Sequence, residues 1–297
     1  MQTAYQTEFP INAGSLPAYY SIGDIVSEYC RQKHALRSTR TSASLTPSRT
    51  AQMKSLQATA DQVLRDLSRV ARHDKAATLL GYFKAVPGGY GEGDQFLGVV
   101  VPDQRQVAKR FRHLPRSAVQ GLLDSPWHEC RQTGLFILVD QFQRACEGKL
   151  AEPVLAKAIV DFYLANLPAV NNWDLVDSSA PYILGEWLLK HPAQRFRLDE
   201  LSKSNVLWER RVAILATFPL IRAAEFNEIL ELSERLLEDE HDLMHKAIGW
   251  MLREVGKRDI NTLTGFLEQH VQHMPRTMLR YSIEKMPTVE RKSWLTA

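Results

Sequence analysis

Apolar residues spaced three and four positions apart constrain the fold of this chain more than any other feature of its sequence. The spacing begins with Leu56, Val63, Leu64, Leu67 and Val70, and it returns in nearly every later segment. Such spacing places apolar side chains on one face of an α-helix, whereas a half-buried strand alternates with a period of two. The chain is therefore predicted to be all-α.

Prolines divide the helical pattern into segments of about ten to twenty residues. A proline inside a helix removes a backbone hydrogen bond and clashes with the preceding turn, so each one marks a boundary between predicted helices. The breaks fall at Pro87, Pro102, Pro115, Pro126, Pro168, Pro192, Pro219, Pro275 and Pro287.

Two helix starts follow from side chains that can accept a hydrogen bond from a first turn. We expect Ser125 to cap a helix that begins at Pro126, and Asn172 to cap a helix that begins at Trp173. The short β-branched stretch at residues 96–101 has strand character, but a single strand of this length is too isolated to build a sheet.

Tryptophans recur near the head or the middle of the predicted helices, at Trp127, Trp173, Trp208 and Trp250. Their intervals bracket the length of the two-helix HEAT or armadillo unit. Such units stack into an α-solenoid with a concave inner surface, because no unit can bury its apolar face alone. An α-solenoid of HEAT-like repeats is thus predicted, and a plain helical bundle remains the alternative because the spacing is irregular.

The first fifty residues differ in composition from the remainder. Residues 38–50 carry eight serines or threonines and no acidic residue. This predicts a flexible or poorly ordered extension over residues 1–50 before a folded domain over residues 51–297. No apolar run reaches membrane-spanning length, and Cys30, Cys130 and Cys146 form no disulfide ladder. We therefore expect a soluble, cytoplasmic protein.

Two motifs resemble ligand sites but lack residues that such sites need. His241 and His245 have the spacing of a zinc-binding helix, yet no third ligand lies nearby in the sequence. The glycine-rich stretch at residues 88–93 is not followed by the Lys-Ser or Lys-Thr pair of a phosphate-binding loop. The sequence therefore predicts a turn at residues 88–93, no metal and no cofactor.

The most informative segment is the predicted helix that begins at Trp173. Trp173 and Asp177 are four residues apart, so they project from one face of that helix. An indole beside a carboxylate can bind a cation or an electron-poor sugar. The alternative is that Trp173 belongs to the core and that Asp174 and Asp177 favour the positive end of the helix, which explains Asp174 better than Asp177.

Arg210 and Arg211 stand near the start of an apolar helix, where the helix dipole disfavours cations. The arginine pair therefore needs an anionic partner. Glu209 is the simplest candidate, and a phosphate group is the other.

Cationic residues form stripes that suit a nucleic-acid backbone, although the formal net charge is only +3. Trp250 shares one stripe with Lys246, Arg253 and Lys257, for which a solvated face with a half-buried tryptophan is the alternative. Two further stripes comprise Arg105, Lys109 and Arg112, and Arg276 and Arg280. A basic groove is compatible with the low net charge because acidic residues gather in a different segment, at residues 225–240.

Taken together, these residues resemble the AlkD-like DNA alkylation repair family, whose members are HEAT-like repeat DNA glycosylases. The resemblance covers Leu56 to the C-terminus. Its motifs are Gly81-Tyr82-Phe83-Lys84 with the glycine-rich and Phe-Leu-Gly-Val segments that follow, residues 125–131, Trp173-Asp174-Leu175-Val176-Asp177, Trp208-Glu209-Arg210-Arg211 and residues 246–254. The N-terminal extension and the glycine-rich loop depart from the family's pattern.

The resemblance implies that Trp173 and Asp177 are catalytic, that Arg211 binds a phosphate and that Trp250 is a second active-site tryptophan. It implies a monofunctional glycosylase that excises cationic N3- or N7-alkylpurines from duplex DNA in base excision repair. The expected partner is duplex DNA with alkylated bases, with no membrane, and the expected state is a monomer. A non-catalytic α-solenoid that binds DNA structure or a protein partner is the alternative, because some relatives lack the catalytic residues.

Overall fold

The computed structural model describes residues 58–147 and 151–296, all of which belong to one unit that spans Arg49–Ala297. These residues are helical and contain no strand, so the all-α prediction is confirmed for this part of the chain. The predicted extension over residues 1–50 lies outside the described residues and stays a prediction, as does the boundary at residue 51.

The helices, in chain order, are α1 (Ala60–Arg69), α2 (His73–Tyr82), α3 (Val101–Arg110), α4 (Arg116–Leu123), α5 (His128–Cys146), α6 (Pro153–Ala165), α7 (Trp173–Asp177), α8 (Glu186–Lys190), α9 (Phe196–Ser202), α10 (Leu207–Ala216), α11 (Phe218–Arg222), α12 (Asn227–Arg235), α13 (Asp242–Gly256), α14 (Ile260–His270), α15 (Arg276–Ser282) and α16 (Thr288–Thr296). Short 3-10 turns lie at Leu167–Ala169 and Pro192–Gln194, and one π-helical turn lies at Pro181–Gly185. In the described part of the chain, no helix is both long and apolar enough to cross a membrane.

The two predicted helix starts have different outcomes. The Asn172 side chain accepts a hydrogen bond from the Trp173 amide at 2.9 Å and caps α7, as predicted. The prediction for Ser125 is wrong, because α5 begins at His128. Residues 125–127 are instead held beside Gln95, whose amide donates to the Pro126 carbonyl and whose carbonyl accepts from the His128 amide.

Residues 96–101 build no sheet, as predicted, and a carboxylate takes the place of a neighbouring strand. The buried Glu129 side chain accepts hydrogen bonds from the amides of Leu97, Gly98 and Val99 at 3.0, 2.8 and 3.1 Å. A buried amide without a partner is costly, so these three bonds stabilise an extended segment inside a helical protein.

Helices that are not neighbours in the sequence bring the predicted site residues together. Helix α7 packs against α5 and α10, α10 packs against α13, and α13 packs against α15. Their buried faces carry side chains such as Val176, Ile214 and Ile248, which are inaccessible to solvent. Because these helices pack in the order α5, α7, α10, α13 and α15, the all-helical fold is consistent with an α-solenoid, and the HEAT-like repeat remains a prediction.

Helix α13 approaches α15 so closely that Gly249 has no room for a side chain. A Cβ atom at Gly249 would lie 2.5 Å from the Met278 carbonyl oxygen and 2.6 Å from the Tyr281 Cβ. We expect Gly249→Ala to lower the free energy of unfolding by about 1–3 kcal/mol, because the two helices must separate. Denaturant titration measures this change.

Gly265→Ala is the matched control, since Gly265 lies in α14 with nothing within 4 Å of its Cβ position. That variant should gain up to about 1 kcal/mol through the higher helix propensity of alanine. A Gly249→Ala protein that is as stable as Gly265→Ala would contradict the close approach of α13 and α15.

Candidate functional site

A cleft of about 510 Å³ contains the residues that the sequence singles out most strongly. Helices α7, α10 and α13 supply most of its walls, and α2, α15 and the glycine-rich turn supply three tyrosines. The residues that line it are Tyr82, Tyr90, Trp173, Asp177, Arg211, Leu243, Lys246, Trp250, Arg253 and Tyr281. Six of the predicted site residues therefore meet in one cleft.

A two-point ion pair between Asp177 and Arg211 lies in this cleft. The Arg211 Nε donates to Asp177 Oδ1 at 2.9 Å, and Nη2 donates to Oδ2 at 2.8 Å. The Arg211 Nη1 donates to the Leu243 carbonyl at 2.6 Å. The Arg211 side chain is 5% exposed and that of Asp177 is 18% exposed, so the carboxylate is the more accessible partner.

The two arginines pair with aspartates and not with Glu209, the anionic partner that the sequence indicates first. Arg211 pairs with Asp177, whereas Arg210 pairs with Asp239 at 2.7 Å and also donates to the Ser204 carbonyl. A guanidinium carries five N–H groups, and the bonds to Asp177 and Leu243 use three of those on Arg211. The other two N–H groups of Arg211 make no hydrogen bond to the described residues.

The environment of Asp177 opposes its charge. Burial raises the pKa of Asp177 above the ordinary value, and the nearby charge of Asp174 adds to this effect, while the charge and hydrogen bonds of Arg211 only partly offset it. A poorly solvated carboxylate gains most from additional positive charge nearby. The site therefore favours a cation, or a group that develops positive charge, next to Asp177.

Two indoles line the same cleft as this carboxylate. The Trp173 ring stacks on Phe83 with centroids 5.5 Å apart and meets the Tyr82 ring edge-on at 5.9 Å. The Trp250 ring lies 6.4 Å from Phe218. Both indoles are half-buried, so each offers part of its surface to the cleft. Aromatic faces of this kind attract cations.

A buried network behind α7 holds this helix in place, and sequence reasoning did not find it. Two contacts fix the position of the His128 ring: Nδ1 lies 2.9 Å from Asp94 Oδ2, and Nε2 lies 2.8 Å from Asp174 Oδ2. Arg131 also pairs with Asp94, and Gln132 donates to Asp174 at 2.8 Å. The network links α5 to the first turn of α7, which carries Trp173.

The charge state of His128 follows from its two carboxylate neighbours. Burial by itself lowers the pKa of His128, but the hydrogen bonds and charges of Asp174 and Asp94 raise it to about 9. The imidazole is therefore protonated at neutral pH and donates to both aspartates. Asp174 therefore pairs with His128, which lies 46 residues earlier in the sequence. It also lies in the first turn of α7, as the sequence indicates.

The predicted cationic stripes are only partly brought to the cleft. Lys246 and Arg253 line it and pair with Asp242 and Glu284, whereas Lys257 lies just beyond the end of α13 and pairs with Glu254. The remaining predicted cations do not line the cleft, and they are Arg105, Lys109, Arg112, Arg276 and Arg280. Helix α3 ends at Arg110, and Arg112 follows it in a turn where its Nε donates to the Lys109 carbonyl at 3.1 Å. That Arg105, Lys109 and Arg112 bind DNA stays a prediction. Arg276 and Arg280 do share α15.

The two motifs that the sequence discounts have local structural roles. His241 accepts a hydrogen bond from the Leu243 amide and caps α13, and the His245 ring bonds to the Asp239 carbonyl. The glycine-rich stretch forms turns, as predicted, in which the Gly88 amide donates to the Glu92 carboxylate. These turns bring Tyr90 to the cleft, a residue that sequence reasoning missed together with Tyr82 and Tyr281.

Comparison with known proteins gives a family and a fold. The profile of a family described as DNA alkylation repair enzyme matches residues 63–286. No curated protein sequence matches the chain. A solved structure described as a predicted DNA alkylation repair enzyme from Enterococcus faecalis is 17% identical and superposes with a TM-score of 0.58 over 73% of this chain and 97% of its own. At this identity the likeness shows a shared fold.

Proposed function

Because the chain belongs to the DNA alkylation repair enzyme family, we propose that it is a monofunctional DNA glycosylase that hydrolyses the N-glycosidic bond of cationic N3- or N7-alkylpurines in duplex DNA. The observation that supports this most is the position of Asp177, which lies with two indoles and one guanidinium in a single cleft. The reaction would begin base excision repair.

An alkylated purine needs little help to leave the sugar. Its ring already carries a positive charge, so bond cleavage neutralises the leaving group and requires no general acid. A glycosidase with an uncharged substrate uses two carboxyl groups, one of which protonates the leaving group. A cationic purine needs no such proton, so one anion is enough. Asp177 would stabilise the oxocarbenium-like sugar and orient or deprotonate the attacking water.

The indoles and cations would position the lesion around that anion. Trp173 and Trp250 would contact the deoxyribose and its developing positive charge through their ring faces. The two uncommitted N–H groups of Arg211 would bind the adjacent phosphate, and Lys246 and Arg253 would add positive charge along the backbone. Holding the phosphate holds the reacting sugar over Asp177.

The broader arrangement is part of the same proposal. The helices would form a HEAT-like α-solenoid, with a basic groove that grips one DNA duplex through its backbone. The protein would act as a cytoplasmic monomer, without a metal or a cofactor.

Base release from methylated duplex DNA tests the proposed activity. Purified protein should release 3-methyladenine or 7-methylguanine, identified by chromatography, and should act poorly on uracil, because uracil leaves as an anion. Equal release of neutral bases would contradict selection by charge. DNA binding in a gel shift without any release above the Asp177→Asn variant would support a non-catalytic DNA-binding protein instead.

Arg211→Ala should slow base release by about a hundredfold, because the sugar is no longer held over the carboxylate. The slope of log affinity for DNA against log salt concentration should decrease in magnitude by about 1, because one phosphate contact is lost. Binding titrations at several salt concentrations measure this slope.

Arg210→Ala is the matched control for Arg211→Ala. It removes the neighbouring arginine from a comparable aspartate pair that does not line the cleft. Base release and the salt slope should stay close to those of the unmodified protein. Equal effects of the two substitutions would show that loss of an arginine–aspartate pair, and not loss of a phosphate contact, causes the defect.

A further inference from the structure

A second cavity of about 470 Å³ adjoins the cleft, and the glycosylase scheme makes no use of it. Tyr82, Trp173 and Asp177 line both spaces. Helices α2, α3, α5 and α7 supply most of the walls of the second cavity, together with the extended segment that precedes α3. Its volume falls within the range of about 300–1,000 Å³ that is usual for small-molecule sites.

Aromatic rings form much of the apolar wall of the second cavity. The Phe83 ring stacks on Phe96, with centroids 5.3 Å apart, and on Trp173, with centroids 5.5 Å apart. Two further rings in the wall are open to solvent, since Tyr82 is 61% exposed and Tyr182 is 40% exposed. A flat ring that binds against this wall removes apolar surface from water, so the wall favours an aromatic ligand.

Two cations line the second cavity without an anionic partner. The side chains of Lys75 and Arg105 make no ion pair or hydrogen bond with any residue in 58–147 or 151–296. The Arg105 Cζ lies over the face of the Phe136 ring, 4.3 Å from its centre, and this cation–π contact holds the guanidinium at the cavity wall. The ammonium of Lys75 and the five N–H groups of Arg105 are therefore available to an anion.

The carboxylates that line the second cavity are all engaged by the protein. Asp177 accepts two hydrogen bonds from Arg211. Asp174 pairs with the protonated His128, and Glu129 accepts hydrogen bonds from three backbone amides. The uncommitted charge in the cavity is therefore positive. A flat ring that carries a negative group matches both the aromatic wall and the two cations.

We propose that the second cavity binds a single nucleotide, with its base against the aromatic wall and its phosphate bound by Arg105 and Lys75. A guanidinium binds phosphate through two N–H groups at once, which gives the contact both strength and direction. The choice of a nucleotide among flat anions rests on the proposed function, since a DNA repair enzyme acts on nucleotides. A free mononucleotide and a nucleotide within a DNA strand have this chemistry in common.

Binding of three small probes tests the inference without turnover. The probes are deoxyadenosine monophosphate (dAMP), deoxyadenosine, which lacks the phosphate, and butyl phosphate, which lacks the ring. By ligand-observed NMR titration we expect dAMP to bind about tenfold more tightly than either of the others, because the phosphate and the base each add affinity. Equal binding of dAMP and one of the other probes would overturn the inference, and so would failure of dAMP to bind at millimolar concentration.

Substitution of the two cations assigns the phosphate contact. Arg105→Gln should weaken dAMP binding by about tenfold or more, and Lys75→Gln, on a different helix, should weaken it in the same direction. Lys109→Gln is the matched control, because it removes an exposed cation from the same helix as Arg105 at a position that lines neither space. Equal affinity of Arg105→Gln and Lys109→Gln for dAMP would place the phosphate elsewhere and overturn the proposal.

A substitution in the cleft separates the two adjoining spaces. Lys246 lines the cleft and does not line the second cavity. Lys246→Gln should therefore leave the affinity for dAMP close to that of the unmodified protein. Binding of dAMP that Lys246→Gln weakens and Arg105→Gln does not would place the nucleotide in the cleft and overturn the proposal.

A fluorescent duplex distinguishes the two sources of the nucleotide. With 2-aminopurine in duplex DNA, a fluorescence increase that Arg105→Gln abolishes indicates a nucleotide turned out of the duplex. Binding of dAMP without this increase indicates a site for a free mononucleotide.

Failure of the cavity site and failure of the proposed reaction are separate results. Asp177→Asn removes a negative charge from the cavity wall, so this variant should bind dAMP at least as tightly as the unmodified protein. If the protein binds dAMP but releases no base, the proposed reaction fails and the cavity site stands. If it releases alkylated bases but does not bind dAMP, the cavity site fails and the proposed reaction stands.

Discussion

The Asp177→Asn variant should release alkylated bases about a thousandfold more slowly than the unmodified protein. Asparagine has nearly the same shape as aspartate but cannot supply the negative charge that the oxocarbenium-like sugar requires. Single-turnover release of 3-methyladenine or 7-methylguanine from methylated duplex DNA measures the loss directly.

DNA binding by Asp177→Asn should persist and become more dependent on salt. In the native protein the Asp177 carboxylate neutralises Arg211 through two hydrogen bonds. Without the carboxylate the net positive charge of the cleft rises by one, so the salt slope of DNA affinity should steepen by up to about 1. A variant that loses DNA binding along with activity would mean that Asp177 has a structural role in the cleft.

Asp239→Asn is the matched control for Asp177→Asn. Asp239 also pairs with an arginine, through one bond from the Arg210 Nε at 2.7 Å, and it does not line the cleft. Both substitutions remove a carboxylate from an arginine pair, so any shared loss of stability should be similar. Normal base release by Asp177→Asn, or an equal loss in Asp239→Asn, would move the chemistry to another residue.

The His128→Asn variant should be less stable than the unmodified protein by about 3–5 kcal/mol, the usual consequence of removing one member of a buried charged network. His128 is the cation between Asp94 and Asp174, and both carboxylates lose a donor in the variant. Because Asp174 lies next to Trp173, base release should fall as well.

The pH dependence of stability tests whether the positive charge of His128 is what stabilises the folded protein. Its pKa is about 9 in the folded protein and 6.5 ordinarily, so its contribution is complete below pH 6.5 and is lost as the pH rises to 9. The free energy of unfolding should therefore fall by about 3 kcal/mol over that interval. His128→Asn should lack most of this fall.

His113→Asn provides the comparison for the histidine experiment, since His113 is exposed. It should change neither the stability nor its pH dependence measurably. Denaturant titrations of all three proteins at pH 6.5 and pH 9 suffice. A fall with pH that is as large in His128→Asn as in the unmodified protein would assign it to other groups.

Local features of the sequence were enough to predict an all-α fold and six of the ten residues that line the cleft. The predicted helix length of about ten to twenty residues is wrong for several helices, since α7, α8 and α11 have five residues each. The three- and four-residue spacing of apolar side chains acts within a helical turn, so it identifies helices such as α1 and α10 without knowledge of their partners. The four-residue separation likewise places Trp173 and Asp177 on one face of α7. The Ser125 prediction failed because contacts with Gln95, thirty residues earlier in the chain, override the local preference.

What only the tertiary structure decided is which charged groups meet. Arg211 reaches Asp177 across 34 residues, and His128 reaches Asp94 across 34 and Asp174 across 46. A helix propensity depends on neighbours within one turn, whereas the pairing of two buried charges depends on how whole helices pack, and the spacing of residues along the chain does not encode that packing.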